Sequence, residues 1–217
     1  MIPNNIILTW KNKDIPTNIL ENIKNLNPDK EILFFTDEDV VDFLKTEYGN
    51  KFVDFFHSIK LGYNKGDFFR YCYLYKHGGY YCDIDIEHIL PISNYIDENT
   101  KFFTVISGLL PGHIFQALLF TEQNNNIIAS CIDDMFKYGA NPPITKNYEG
   151  HTTTCMFNNI KTYLNTNPRH GFYADHDGGI GLGIELMHNG RYICVYNNAP
   201  IAFSRYINYS RESGFAI

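Results

Sequence analysis

Apolar positions along the chain fall into two rhythms. Ile6 to Trp10 (IILTW) is a short apolar run with the length of a buried strand, and between Pro16 and Leu26 the residues Ile19, Leu20, Ile23 and Leu26 recur at helical spacing. Glu31 to Thr36 predicts a second strand. Asp37 then caps a helix that carries Val40, Val41, Phe43 and Leu44 and stops at Gly49. Two strands joined by a helix make a right-handed βαβ unit with parallel strands, and ligands of such sheets sit at the strands' carboxyl ends. Thr9-Trp10 and Phe35-Thr36-Asp37 therefore belong to one rim.

Gly62 to His77 reads as a helix closed by Gly78-Gly79, followed by a strand from Tyr80 to Ile86. On that helix Asp67 and Arg70 are three apart and share a face. In the later half, Phe102 to Ser107 and Phe115 to Phe120 predict strands, and Asn126 to Lys137 and Thr153 to Leu164 predict helices. Ile180 to Leu186 and Arg191 to Tyr196 form a strand pair turning at Asn189-Gly190. Ala174 to Gly183 (ADHDGGIGLG) reads as a loop with unusual chemistry. No repeat or long linker divides the chain, so residues 1–217 are expected to form one domain, 1–100 as one half and 101–217 as the other.

Composition narrows the class. With 44% apolar and 16% aromatic residues in 217, the chain can bury a full core. No apolar run approaches the roughly 20 residues of a membrane span, and Met1 leads into a strand without a secretory leader, which predicts a cytoplasmic protein without a membrane segment. The five cysteines show no C-x-x-C spacing and are expected to be buried thiols. A net charge of -6 with scattered lysines argues against a nucleic-acid partner. The sequon Asn208-Tyr209-Ser210 reads as chance.

The chemistry concentrates in GGYYCDIDIE, Gly78 to Glu87. As a strand it places Asp83, Asp85 and Glu87 on one side, with Asp83 and Asp85 about 7 Å apart. Like charges so placed repel unless a cation sits beside them, and an all-oxygen set favours magnesium or manganese over zinc. The plainer alternative is a solvated edge strand with acidic alternate positions. Asp67 and Arg70 have a similar alternative as a surface pair, although Phe68, Phe69, Tyr71 and Tyr73 around them argue for burial. Trp10 fits either the core or a stacking face at the rim.

In this order, IPNNIILTWKN…IP, NPDKEILFFTDED and KGDFFRYCYLYKHGGYYCDIDIEHILPI resemble the DXD-containing sugar-transferase family of yeast-type initiating mannosyltransferases and capsular sugar transferases. More distantly they are similar to the glucosylating domain of clostridial toxins. The resemblance is close from Met1 to about Ile92. It implies the GT-A fold: an α/β protein whose Rossmann-like nucleotide-binding half has a mixed central sheet flanked by helices. A small enzyme from one of the large DNA viruses that encode glycan machinery would fit the size.

By this resemblance Asp83 and Asp85 hold Mn2+ or Mg2+ on the donor's diphosphate, with Arg70 beside them as the third catalytic residue. Thr9, Trp10, Thr36, Asp67, Arg70, Tyr81 and Asp83 bind the nucleotide-sugar donor, a UDP-sugar in preference to a GDP-sugar. His176 is the expected further metal ligand, with Asp175 and Asp177 as competitors. The acceptor is a glycan or glycoprotein hydroxyl. Where the family often has T-G-P, this chain has His151-Thr152-Thr153-Thr154-Cys155, a departure on the acceptor side. If the reaction inverts the anomeric centre, Asp175, Asp177, Glu185, His151 and His113 are candidate bases.

Three other functions compete. A glycoside hydrolase needs carboxylates flanking the sugar bond, which neighbours on one strand face do poorly. A phosphoryl-transfer enzyme using D-x-D would need phosphate-gripping elements that Glu87-His88 do not supply. A non-catalytic nucleotide-sugar binder shares the fold.

Overall fold

The computed structural model describes residues 1–13, 17–143, 145, 148, 150–175 and 178–204. In chain order the amino-terminal half contains β1 (Asn5–Thr9), α1 (Thr17–Leu26), β2 (Glu31–Phe35), α2 (Asp37–Tyr48), α3 (Asn50–Ser58), α4 (Gly62–His77), β3 (Gly79–Cys82) and β4 (Glu87–His88). The rest contains β5 (Thr100–Ser107), β6 (Ile114–Thr121), α5 (Asn126–Tyr138), α6 (Thr152–Leu164), β7 (Gly171–Asp175), β8 (Gly178–His188), β9 (Arg191–Tyr196) and β10 (Ala199–Phe203).

The predicted βαβ unit is present. β1 and β2 run parallel from Asn5 opposite Glu31 to Thr9 opposite Phe35, and β3 joins β1's other edge, also in parallel. α2 is capped by Thr36, one residue before the expected Asp37, which becomes the first helical residue. The Thr36 hydroxyl accepts from the Asp39 amide, the Asp39 carboxylate accepts from the Thr36 amide, and Asp37, Glu38 and Asp39 meet the positive end of the helix dipole. Asn50–Ser58, to which the sequence pattern assigns no element, is helical, with Phe52 and Phe55 packed against Phe68 and Phe136.

The sheet order is β2-β1-β3-β6-β5-β8-β9-β10-β4, with β7 paired to β8. Period-two alternation splits the central strands between two cores. Ile7, Tyr81, Leu119 and Phe102 pack under helices α2 to α6, while Ile6, Leu8, Tyr80, Cys82, Phe103 and Phe120 pack with α1 on the other face.

Gly78 and Gly79 join α4 to β3 at φ 65° and 117°, and a Cβ on Gly79 would lie 2.6 Å from Ile7 Cδ1. Only glycine fits this turn. Because α4 enters β3 there, its first turns lie at the carboxyl-end rim of the parallel strands.

β3 and β4 are far apart in the sheet order yet four residues apart in the chain, so the sheet must curl to bring its last strand back. The returning strand is clamped from both edges. β10 pairs with it, Ala202 opposite His88, and Asn22 of α1 caps its other edge through Nδ2 to the His88 carbonyl at 3.1 Å and Oδ1 from the His88 amide at 2.8 Å. That covers what would otherwise be a bare edge strand.

Three expectations are corrected. The strand predicted to Ile86 ends at Cys82; Asp83 to Ile86 form a turn closed by the Ile86 amide on the Asp83 carbonyl at 3.2 Å. The supposed loop 174–183 is largely strand: β7 and β8 pair antiparallel with Asp175 opposite Gly178, and Gly181 lets the Phe103 and Tyr196 rings approach. The chain 199–203, left without an element by the sequence pattern, is β10. All five cysteines are buried free thiols, as expected. No helix among the described residues is long and apolar enough to cross a membrane.

Candidate functional site

The acidic turn sits where β3 leaves the sheet. The Asp83 amide still pairs with the Ala117 carbonyl of β6 at 2.8 Å, so Asp83 is held by the strand ladder while Ile84 and Asp85 project into the turn. The two aspartates thus belong to a turn, and the same-face argument made for a continuous strand does not apply to them. Both are half-buried, whereas Ile84 and Ile86 are buried in the α1-side core and fix the turn from below. Glu87 has a separate task, accepting from Arg191 Nη2 at 2.6 Å.

Arg70 organises the neighbourhood. Its Nη2 is 2.9 Å from Asp83 Oδ1 and 3.1 Å from Asp67 Oδ1, Nη1 donates to the Gln116 carbonyl at 2.6 Å, and the guanidinium carbon lies 4.4 Å from the Tyr81 ring centre. Arg70 and Asp67 are 5% and 7% exposed, which excludes the surface-pair alternative. A buried guanidinium is tolerated only with such partners. Burial pulls Arg70's pKa down, but Asp83 first, then Tyr81 and Asp67, lift it above its ordinary value.

Asp67 is pushed above the usual carboxylate range by burial, against the opposing pull of Arg70 and a hydrogen bond from Thr152. That bond runs from Thr152 Oγ1 to Asp67 Oδ2. A second link joins the same elements: the Tyr71 hydroxyl donates to Gln116 Oε1 and lies 3.5 Å from the Thr152 carbonyl. The amino terminus of α6 and the start of β6 are therefore both bonded into the Asp67-Arg70-Asp83 cluster. Gln116 is a site residue that sequence reasoning missed and no local pattern marks; Thr152 lies in the His151–Cys155 stretch noted for its departure from T-G-P, but its bond to Asp67 is not foreseeable from it.

The rim residues fall where the βαβ unit puts them. Thr9 Oγ1 donates to the Phe35 carbonyl at 3.0 Å and the Trp10 amide to the same carbonyl at 3.1 Å, which locks the ends of β1 and β2 together. Thr36 is buried and its hydroxyl is taken by the α2 cap, while Trp10 is half-buried beside the α1-side core. His176 and Asp177 lie outside the described residues, as does the Asp175 side chain. Among the described residues no group of three or more histidine, cysteine or acidic side chains is arranged to hold a metal. Asp83 and Asp85 are two carboxylates on one turn. That donor set fits a hard cation which takes one or two protein carboxylates and fills its other positions from water and phosphate.

Residues 16–103 match the model of a family described as the glycosyltransferase sugar-binding region containing DXD motif. Among curated proteins, inositol phosphoceramide mannosyltransferase 3 of Schizosaccharomyces pombe is 36% identical over 88 residues, 39% of this chain and 24% of its own length. A mannosyl phosphorylinositol ceramide synthase of Saccharomyces cerevisiae is 36% identical over 88 residues, 39% of this chain and 23% of its own. The chain thus spans about a quarter of the length of these relatives. The solved structure of PaToxG glycosyltransferase superposes with a TM-score of 0.55 at 16% identity, covering 75% of this chain and 71% of that one. The fold is that of a GT-A-type glycosyltransferase, a mixed sheet curled between helices.

Proposed function

We propose that this chain is a metal-dependent glycosyltransferase that moves a sugar from a nucleotide diphosphate sugar to a hydroxyl acceptor. The observation that carries the reading is the bridge from Arg70 to both Asp67 and Asp83 beside the turn that bears Asp85, at the carboxyl-end rim where α/β sheets bind nucleotides. The matched family region contains that turn.

Asp83 and Asp85 would hold Mn2+ or Mg2+, which when bound supplies positive charge to the diphosphate leaving group. Arg70 fixes Asp83 in place and adds a cationic surface to the same region. Asp67 is fixed in turn by Thr152 and Arg70, giving the donor sugar a rigid acceptor of hydrogen bonds. Thr9 and Thr36 hold the rim by their own hydrogen bonds, and Trp10 offers a ring for a base to stack on. His176 is proposed as a further ligand.

The relatives' names point towards a mannosyl donor, so GDP-mannose is as strong a candidate as the UDP-sugars. A glycoside hydrolase fits poorly, because the two carboxylates share one turn and do not face one another across a bond.

Thermal melting of the chain with UDP-glucose and with GDP-mannose, each with and without Mn2+, tests the proposal. Stabilisation only when donor and metal are both present is expected, through binding linkage. The same stabilisation in Asp85→Ala would sink it.

A further inference from the structure

A cleft of about 360 Å³ opens between the loop that enters β6 and the first turns of α6, walled by His113, Tyr138, Thr154, Cys155, Phe157 and Asn158 together with Pro111, Gly112 and Gly150. Its volume lies within the range of small-molecule sites. None of the described residues lining it carries a formal charge. His113 has its pKa lowered by burial and then by His151, which keeps it neutral near pH 7, and burial pushes the Cys155 thiol up to about 11. Charged groups beside the cleft are of both signs: Lys137 Nζ lies 4.8 Å from the Tyr138 ring centre, and Asp134 and Lys137 act in opposite directions on the Cys155 thiol.

The walls instead combine ring faces with neutral hydrogen-bonding groups. Tyr138 and Phe157 present aromatic surface, and Thr154 and Asn158 present a hydroxyl and an amide. His113 is held in orientation by Thr153 Oγ1 at 2.9 Å from Nδ1 and by an edge-on contact with Tyr148. A six-membered polyol ring has the matching pair of properties, an apolar C–H face and an edge of neutral hydroxyls.

The cleft is also wired to the acidic turn through both walls. Thr152, on the same turn of α6 as Thr154 and Cys155, bonds Asp67, and Gln116, three residues after His113, bonds Arg70 through its carbonyl. We propose that this cleft binds a neutral pyranose or cyclitol ring and is the acceptor subsite, a reading that rests on the transferase proposal above for its role but not for its ligand chemistry.

Ligand-observed saturation-transfer NMR on the full chain tests it with two probes, methyl α-mannopyranoside for a glycan end and myo-inositol for a lipid headgroup. Tyr138→Ala and Asn158→Ala are the variants; both positions are exposed, so the fold is spared, which circular dichroism verifies. At least one probe is expected to bind the unmodified chain, with affinity reduced about tenfold in each variant through loss of a ring contact or hydrogen bond. The metal-dependent melting response to UDP-glucose or GDP-mannose is expected to be unchanged. Absence of binding by both probes, equal binding in the variants, or loss of the nucleotide response together with ring binding would each overturn the inference. Ring binding without any nucleotide response in the unmodified chain would keep the cleft and defeat only the transferase reading.

Discussion

The Thr152 hydroxyl donates to the buried Asp67 carboxylate across 85 residues of chain, so the first turn of α6 holds a residue of α4 in place. Removing the donor leaves a buried carboxylate oxygen without its partner. Thr152→Val is expected to cost about 1–3 kcal/mol in urea denaturation, and Thr152→Ser to recover most of it. If Asp67 serves the donor, Thr152→Val also raises the donor KM while Thr152→Ser does not.

Arg70 cannot be exchanged for lysine. Its Nη1 and Nη2 serve a carbonyl and two carboxylates at once, a fork that a single ammonium does not reproduce. Arg70→Met strands Asp67 and is expected to lose roughly 3–5 kcal/mol, with Arg70→Lys between it and the native protein. Chemical denaturation orders the three.

Gly79→Ala places a Cβ at φ 117° and 2.6 Å from Ile7 Cδ1. Backbone strain alone predicts a loss of about 1–3 kcal/mol, to which overpacking against β1 adds. Alanine at Gly62, where nothing lies within 4 Å and φ is ordinary, is the control and is expected to leave the melting temperature close to that of the native chain.

His88 predicts a pH dependence. It is buried with neither ring nitrogen hydrogen-bonded among the described residues, and burial lowers its pKa from 6.5 to about 4. Below the higher value the unfolded chain takes up a proton that the folded chain refuses until the lower one. Stability present above about pH 6.5 is therefore lost as the pH falls towards 4, by about 1.4 kcal/mol per unit from this group. Denaturation curves of His88→Leu across that interval are expected to lack this part of the slope.

What could be read from the sequence was what is local. The βαβ unit and the i,i+3 pairing of Asp67 with Arg70 follow from spacing and are present, whereas the α2 cap falls on Thr36, one residue before the expected Asp37. The D-x-D segment misled for a physical reason: Ile84 and Ile86 alternate with aspartates as in a strand, yet both are buried from within a turn, so the period mimics extended chain. The aromatic run of α3 carries no side-chain cap, and β10 is announced only by Asn197-Asn198, a two-residue turn with both residues at positive φ. Thr152 and Gln116 meet their partners only through contacts 85 and 46 residues away in sequence, where single-chain periodicity is blind.

The return of β4 to the far end of the sheet bears on the order in which the molecule is made. The turn with Asp83 and Asp85 leaves the ribosome long before its downstream anchors, since Glu87 waits 104 residues for Arg191 and His88 longer still for β10. Closing so wide a loop is slow, and it comes late. Nascent chains halted before residue 191 are expected to hold a formed βαβ unit and a loose acidic turn, so that the candidate chemistry is switched on by β9 and β10.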